Sequence, residues 1–341
     1  MKRLCLLLLL WAGWAHGACM EPSLKGVNLA GAEFASQKLP GVLGTDYAYP
    51  SRNDLAYFKA TGMNLIRLPF RWERVQHNLK SPLEAAEVAQ IARVIGWARE
   101  LELCILLDLH NYGSYRSQKI GSDAVDTKAF EDVWLRLAAA FPDANTTALG
   151  LMNEPAAMPV PQWLALAQST VLALRSKGAS HWLMVGSGRW SGAHEFHKRF
   201  DGQSAAEAFG RFNDPLNRFA VELHQYVDHN YSGTSTTCIA PERLEKIMRT
   251  LALWSQAHQV RFFMGEFGTA STPACLADLR ALLQPMQDNR VWLGWSYWSA
   301  GARWGPYPFS IQPGKGPEAA QLTLLREFLP VPLAGTNKAA P

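Results

Sequence analysis

Eight short apolar runs, each followed by a longer amphipathic or polar stretch, recur between residues 25 and 297, and this alternation restricts the fold more than anything else in the chain. The runs fall at 25–29, 64–68, 103–109, 148–152, 181–186, 218–224, 261–265 and 291–297. All have strand length, and "CILLDL" and "RFFMG" are apolar almost throughout, as parallel strands covered on both faces should be. Helices are expected near 51–60, 84–100, 126–140, 161–176, 241–257, 275–287 and 316–328, with only a weak one near 192–198. The stretch "PLEAAEVAQIARVIGWARELEL" carries the 3.6-residue apolar spacing of a helix lying on a sheet. Eight strands separated by helices predict an α/β chain folded as a single (β/α)8 TIM barrel. The alternative, a doubly wound open sheet, lacks its glycine fingerprint after the first strand.

Composition narrows the partners. With 48% hydrophobic and 18% charged residues the chain is globular, and a net charge of +4 from scattered Lys and Arg offers no basic stripe for nucleic acid. Thirteen tryptophans are an excess that favours a carbohydrate ligand, because indole faces stack on the apolar faces of sugars. Residues 1–18 read as an export signal: Lys2 and Arg3, an apolar stretch from Leu4, then small residues up to Ala18. That stretch is too short to span a bilayer and no other run reaches membrane length. A secreted or periplasmic, monomeric protein is expected. Cys19 stands where a lipid could be attached, but His16-Gly17-Ala18 fits such a signal poorly, so no anchor is expected.

Four cysteines remain after the signal. Cys104, inside "LCILLDLH", reads as a small buried hydrophobe. Cys238 and Cys275 both lie in polar, loop-like sequence, and in an oxidising compartment a bridge between them is expected.

In a barrel, the carboxyl ends of the strands line the functional face. Those positions hold Arg67, Asp108, His110, Asn153, Glu154, Glu222, His224, Tyr226, Glu266 and Trp298. Glu154 closes "ALGLMNEP" and Glu266 closes "RFFMGEFG". Two carboxyls meeting at the mouth of a cleft are what cleavage of a glycosidic bond needs, one as a neutral acid and one as an ionised nucleophile. Arg67 and Tyr226 are candidates to keep Glu266 ionised, which makes Glu154 the acid. Asn153 reads either as a holder of the neighbouring sugar hydroxyl or as a helix cap ahead of Pro155. His110 and His224 are sugar contacts or satisfied barrel histidines. Asp108 and Glu222, two residues earlier on the same strand faces, read as supporting acceptors. Trp298 is a floor under the sugar or a core indole. Trp190 and Trp304, in Gly-rich loops, read as ligand platforms, and Trp72 is undecided. A metal-dependent hydrolase would instead draw on Asp108, His110 and His224, but the strand-one H-x-H pair of such sites is missing. A non-catalytic sugar binder would have no use for two opposed glutamates.

The segments "GVNLAGAEF", "GMNLIRLPFRWERVQ", "LLDLHNYGSY", "LMNEP", "VELHQYVDHNYSGTS", "FMGEFGT" and "GWSYWSAGARWG" resemble, in this order, glycoside hydrolase family 5 and within it the secreted endo-β-1,4-glucanases. The resemblance covers about residues 25 to 312. It implies a (β/α)8 barrel with Glu154 as acid/base, Glu266 as nucleophile, and Arg67, His110, Asn153, His224, Tyr226 and Trp298 around the sugar. It implies a β-1,4-glucan substrate and no metal or organic cofactor, and the Cys238 and Cys275 positions look like a loop disulfide of similar enzymes. The expected division is a signal peptide at 1–18, a catalytic barrel at 19–331 and a flexible tail at 332–341. Two departures, Arg303 where an aromatic is often found and the loop "GSGRW", bear on outer sugar contacts.

Overall fold

All eight apolar runs form strands in the computed structural model, which describes residues 17–330. The export-signal reading, apart from Gly17 and Ala18, and the tail reading at 332–341 lie outside the described residues. The strands are β1 (Leu24–Leu29), β2 (Leu65–Phe70), β3 (Cys104–Leu109), β4 (Thr147–Gly150), β5 (Leu183–Gly186), β6 (Phe219–His224), β7 (Phe262–Glu266) and β8 (Trp292–Ala300). Each pairs in parallel with its neighbour in the chain, and β8 closes onto β1. The expected barrel is therefore the observed one.

Apart from the single turn Trp72–Val75, the helices between and after them are α1 (Arg52–Ala60), α2 (Ala85–Glu100), α3 (Thr127–Ala140), α4 (Val160–Ser176), α5 (Ala205–Phe209), α6 (Pro241–His258), α7 (Pro273–Leu283) and α8 (Ala320–Arg326). Their starts follow from local chemistry. Ser51 and Asp54 form a capping box on α1, Asp126 and Thr272 cap α3 and α7, and Pro241 and Pro273 open α6 and α7. The weak helix expected at 192–198 is one 3-10 turn, Ala193–Glu195, and α5 follows it instead. A capping box of Ser204 and Glu207 starts α5, a signal that the sequence carried and the apolar spacing did not reveal.

Alternation along the strands sorts side chains into two layers. Ile66, Leu68, Ile105, Leu107, Val221 and Leu223 point outward and pack under the helices in one large apolar cluster. Leu24, Leu65, Cys104, Leu106, Ala148, Met184, Ala220, Phe263 and Leu293 fill the barrel itself. Continuing the same period by two residues brings Arg67, Asp108 and Glu222 to the inward positions nearer the mouth, and two more bring His224, all buried. The polar site is thus the top layer of an otherwise apolar barrel. β4 stops at Gly150, so Asn153 and Glu154 stand on the loop beyond it rather than at its end, whereas Glu266 is the last residue of β7.

Two disulfides tie the chain. The expected Cys238–Cys275 bridge is present, joining the loop before α6 to the first turn of α7. Cys104 is a correction: it is no free buried hydrophobe but is bonded to Cys19, across 85 residues. The lone apolar context of Cys104 hid this, because its partner enters from the segment before β1 and plugs the bottom of the barrel among Leu24, Leu65 and Leu293. With its sulfur in that bond, Cys19 has no thiol to carry a lipid. Closing so long a loop restricts the unfolded chain by roughly 4–5 kcal/mol on the entropy account. Cys19→Ser should therefore lower the melting temperature under oxidising conditions by several degrees, and an unchanged melt would show that the bridge contributes nothing.

Candidate active site

The centre of the barrel mouth is organised by Arg67. Its guanidinium is fully buried and touches three carboxylates: Glu266 at 2.9 Å, Glu222 at 2.9 Å and Asp108 at 3.1 Å. It also donates to the amide oxygens of Asn28 at 2.7 Å and Asn153 at 2.9 Å. Asn28 in turn donates to the backbone oxygens of Gly265, Ser296 and Tyr297, locking β1 to β7 and β8. Burial opposes the charge on Arg67, but the three carboxylates outweigh it and strengthen its hold on the proton.

Glu266 receives a second anchor, the Tyr226 hydroxyl, which donates to Oε2 at 2.7 Å. Gly233, at a positive φ of 71°, lets the backbone press on the Tyr226 ring; a Cβ there would sit 2.7 Å from it. Gly265 is required for another reason, since a Cβ at that position would collide with the Glu222 carboxylate.

Glu154 is held differently. Its φ is 41°, a strained value for a glutamate, at the turn into Pro155. His224 Nδ1 donates to its Oε1 at 2.8 Å and lies 3.6 Å from Glu266 Oε2. One carboxylate oxygen of Glu154 lies within 4.8 Å of one of Glu266, with His224 between them. Burial raises the Glu154 pKa above the usual glutamate value, with His224 opposing and the Glu266 charge adding to the rise. His224 itself is pushed up to about 10: burial works against its charge, but Glu266, Glu154 and Glu222 overcome it. It is therefore a cation shared by three carboxyls.

His110 is the opposite case. Burial pulls its pKa down to about 3, so it is neutral; Nδ1–H donates to Asp108 Oδ2 at 2.7 Å, and Nε2 faces the Tyr112 hydroxyl and the Asn153 amide. Asn153 caps no helix, since α4 begins at Val160 behind its N-cap Pro159. Trp298, 9% exposed, stacks on His110 with ring centroids 5.6 Å apart and planes 16° from parallel.

The structure brings Arg67, His110, Asn153, Glu154, His224, Tyr226, Glu266 and Trp298 to one cleft. Asp108 and Glu222 are the supporting acceptors expected. Trp190, 55% exposed, lines a cavity of about 620 Å³ with Tyr112, Glu154, His194, His224 and Tyr231. Trp304 is a half-buried wall, stacked on Tyr307 and edge-on to Phe34 and Trp298. Trp72 is wholly core. Arg303 reaches the backbone oxygens of Gly44 and Thr45 rather than the cleft. The set Asp108, His110 and His224 does not converge as a metal site, because Asp108 and His110 are paired with each other. Glu154, His224 and Glu266 do converge, each offering one ligand atom within 4.8 Å of the others. The sequence reading missed Asn28 and Tyr112, although "GVNLAG" puts Asn28 at the same strand-end position that marked the others.

Two carboxyls this close at a barrel mouth, one proton-loving and one anchored to a cation, define a glycoside hydrolase whose spacing matches the about 5 Å of retaining enzymes and not the roughly 6.5–9.5 Å of inverting ones. The family model for cellulase (glycosyl hydrolase family 5) matches residues 25–302, and the chain belongs to that family. Endoglucanase gh5-1 of Neurospora crassa is 32% identical over 295 residues, covering 85% of this chain and 73% of that protein. The endo-β-1,4-glucanase of Xanthomonas axonopodis pv. citri, solved with a triple mutation, superposes with a TM-score of 0.87 at 41% identity over 90% of this chain and 98% of that one. XacCel5A, similar to the same extent, has been solved in complex with cellopentaose; there the share is 90% of this chain and 99% of that one, with a TM-score of 0.87.

Arg67→Leu leaves Asp108, Glu222 and Glu266 buried without their counter-charge. A loss of about 3–5 kcal/mol in urea unfolding is expected, and unfolding at wild-type denaturant concentrations would contradict this account of the site.

Proposed function

We propose that this chain is an exported, monomeric, retaining endo-β-1,4-glucanase, with Glu266 as nucleophile and Glu154 as acid/base. The observation that carries the reading is the Glu154–Glu266 pair within 4.8 Å, each in an environment suited to a different role. The glucan substrate is supported by the relatives, one of them solved with a cellopentaose, and by the aromatic lining of the cleft. Export is supported by two disulfides and by the signal-like residues 1–18. Among the described residues no helix is long and apolar enough to cross a membrane.

In the first step a Glu266 oxygen attacks the anomeric carbon. The bond from that carbon to the bridging oxygen breaks, and the Glu154 carboxyl gives that oxygen its proton as the leaving chain departs. The result is a glycosyl ester on Glu266 and an ionised Glu154. Glu154 then takes a proton from water, the water oxygen attacks the same carbon, and the ester bond breaks to free Glu266. Two inversions give net retention. Arg67 and Tyr226 keep the nucleophile placed through both steps, and the Asn153 amide is set to hold the hydroxyl beside the reacting carbon.

Glu266→Gln should leave the melt intact and reduce turnover of carboxymethyl cellulose by on the order of 10⁴–10⁶-fold. Fresh cellopentaose digests followed by NMR should show new reducing ends first as the β-anomer. Undiminished hydrolysis by the variant, or an α-anomer first, would refute the assignment; faster hydrolysis of mannan or xyloglucan than of cellulose derivatives would refute the substrate.

The pH profile has a definite sign. Glu154 must be protonated to act as the acid, and its pKa is raised, so kcat/KM is lost as pH rises through a value above the ordinary glutamate range. His224 lowers that value. His224→Asn should therefore move the alkaline limb to higher pH while reducing kcat, and a limb moving to lower pH would show that His224 does not act on Glu154.

A further inference from the structure

A second groove of about 460 Å³ adjoins the large cavity through Tyr112, which lines both. The two are chemically unlike. The large cavity contains Glu154 and His224, so it takes the chain that departs with the proton. The smaller one contains Trp298 and His110 but neither catalytic carboxyl, so it takes the glycosyl chain that stays on the enzyme.

Three residues of the smaller groove each carry a buried polar atom with no hydrogen-bond partner: Glu33 Oε1, Arg71 Nε and Trp304 Nε1. Arg71 Nε has only a 3.4 Å ion-pair approach to Glu73. Unpartnered buried polar atoms are costly and uncommon, and three along one groove call for a ligand rich in hydroxyls. Glu33 is the most exacting of them. It is 8% exposed, and its other oxygen accepts from the Gly31 N–H at 2.7 Å. Arg74 grips the backbone oxygens of Ala32 and Phe34 on either side, which fixes the carboxyl in place.

We propose that Glu33 is a substrate-binding, specificity-determining residue of this groove, its free Oε1 hydrogen-bonded to a hydroxyl of the glucosyl unit beyond the one being cleaved. The inference rests on the glucanase reading above. Burial pushes the Glu33 pKa up to about 8, the Gly31 N–H opposes, and Asp108 of β3 and Glu266 of β7 add to the rise. Arg71, Asp46, His110 and Tyr112 also line the groove, and none of them makes a salt bridge or a hydrogen bond to Glu33. At neutral pH the carboxyl is thus a proton donor as well as an acceptor, which an ionised carboxylate is not. A sugar hydroxyl presents an acceptor to it; ionisation would remove the donor and set a second negative charge beside Glu266.

The test uses the full chain and cellopentaose, with the wild type assayed first. Glu33→Ala should raise KM by about 3–10-fold, the range for one hydrogen bond, with a smaller change in kcat. Glu33→Gln, which keeps a donor and an acceptor, should stay within about twofold of wild type near pH 6. Between pH 6 and 9 the wild-type KM should climb as Glu33 ionises, while the Gln variant stays flat. Equal KM values for wild type and Ala overturn the proposal, and so does a Gln variant whose KM climbs as the wild type does. If Glu33→Ala fails to fold, the Gln comparison alone decides. A wild-type chain that leaves cellopentaose uncut sinks the glucanase reading, a failure told apart from one in which the wild type cuts and both variants match it at every pH.

Discussion

The buried guanidinium of Arg67 is the constraint on which the rest of the site depends. Five acidic or amide side chains from β1, β3, β6, β7 and the loop after β4 converge on it, and without a central cation three carboxylates could not share so dry a space. The apolar layers below, from Leu24 to Leu293, deny these groups any escape toward water at the other end of the barrel. Burial therefore makes the ion cluster rigid as well as costly to disrupt. Glu266 inherits that rigidity, because two of its oxygen contacts come from groups that are themselves fully or almost fully enclosed.

Glu154 differs from Glu266 in every respect that its role demands. It lies past the end of β4 on a strained turn, its side chain is the more exposed of the two, and its direct partner is an imidazolium rather than a guanidinium. An acid that must give up a proton and then recover one is served by a site in which both forms are tolerable. Burial favours its neutral form and His224 its charged form, with burial the stronger, so its proton affinity is raised yet still opposed. A nucleophile needs no such balance. The two carboxyls thus meet unlike surroundings, which is how like groups acquire unlike functions.

Sequence reading recovered the barrel because its signal is local: a parallel strand covered on both faces must be apolar along its length, and eight such runs left little freedom. The strand-end positions followed from the same pattern, which is why Arg67, His110, His224 and Glu266 were all visible. What escaped was non-local or irregular. Cys19 finds Cys104 only because the segment before β1 folds under the barrel, a contact with no periodic trace. Glu33 sits on a loop whose shape is set by Arg74 from the far side of β2, and a lone acid in a loop ordinarily reads as solvated. Trp72 was left undecided by its context and is fully buried, whereas the Gly-rich loop that marked Trp190 as a platform does leave it half exposed.

The pair of hollows flanking the carboxylates also explains how a long polymer could be cut in its interior. Tyr112 borders both hollows, and a chain crossing it would meet the aromatic faces of Trp190 and Tyr231 on one side and Trp298 and Trp304 on the other. Stacking alone registers a glucan loosely, because every unit offers a similar apolar face. Hydrogen bonds that demand one orientation have to supply the register, and the unpartnered donors lie on the side that keeps the glycosyl unit. Arg303 contributes there indirectly: by gripping Gly44 and Thr45 it ties the loop after β1 to the loop after β8. Arg303 thus serves to hold the wall in which Glu33 is set.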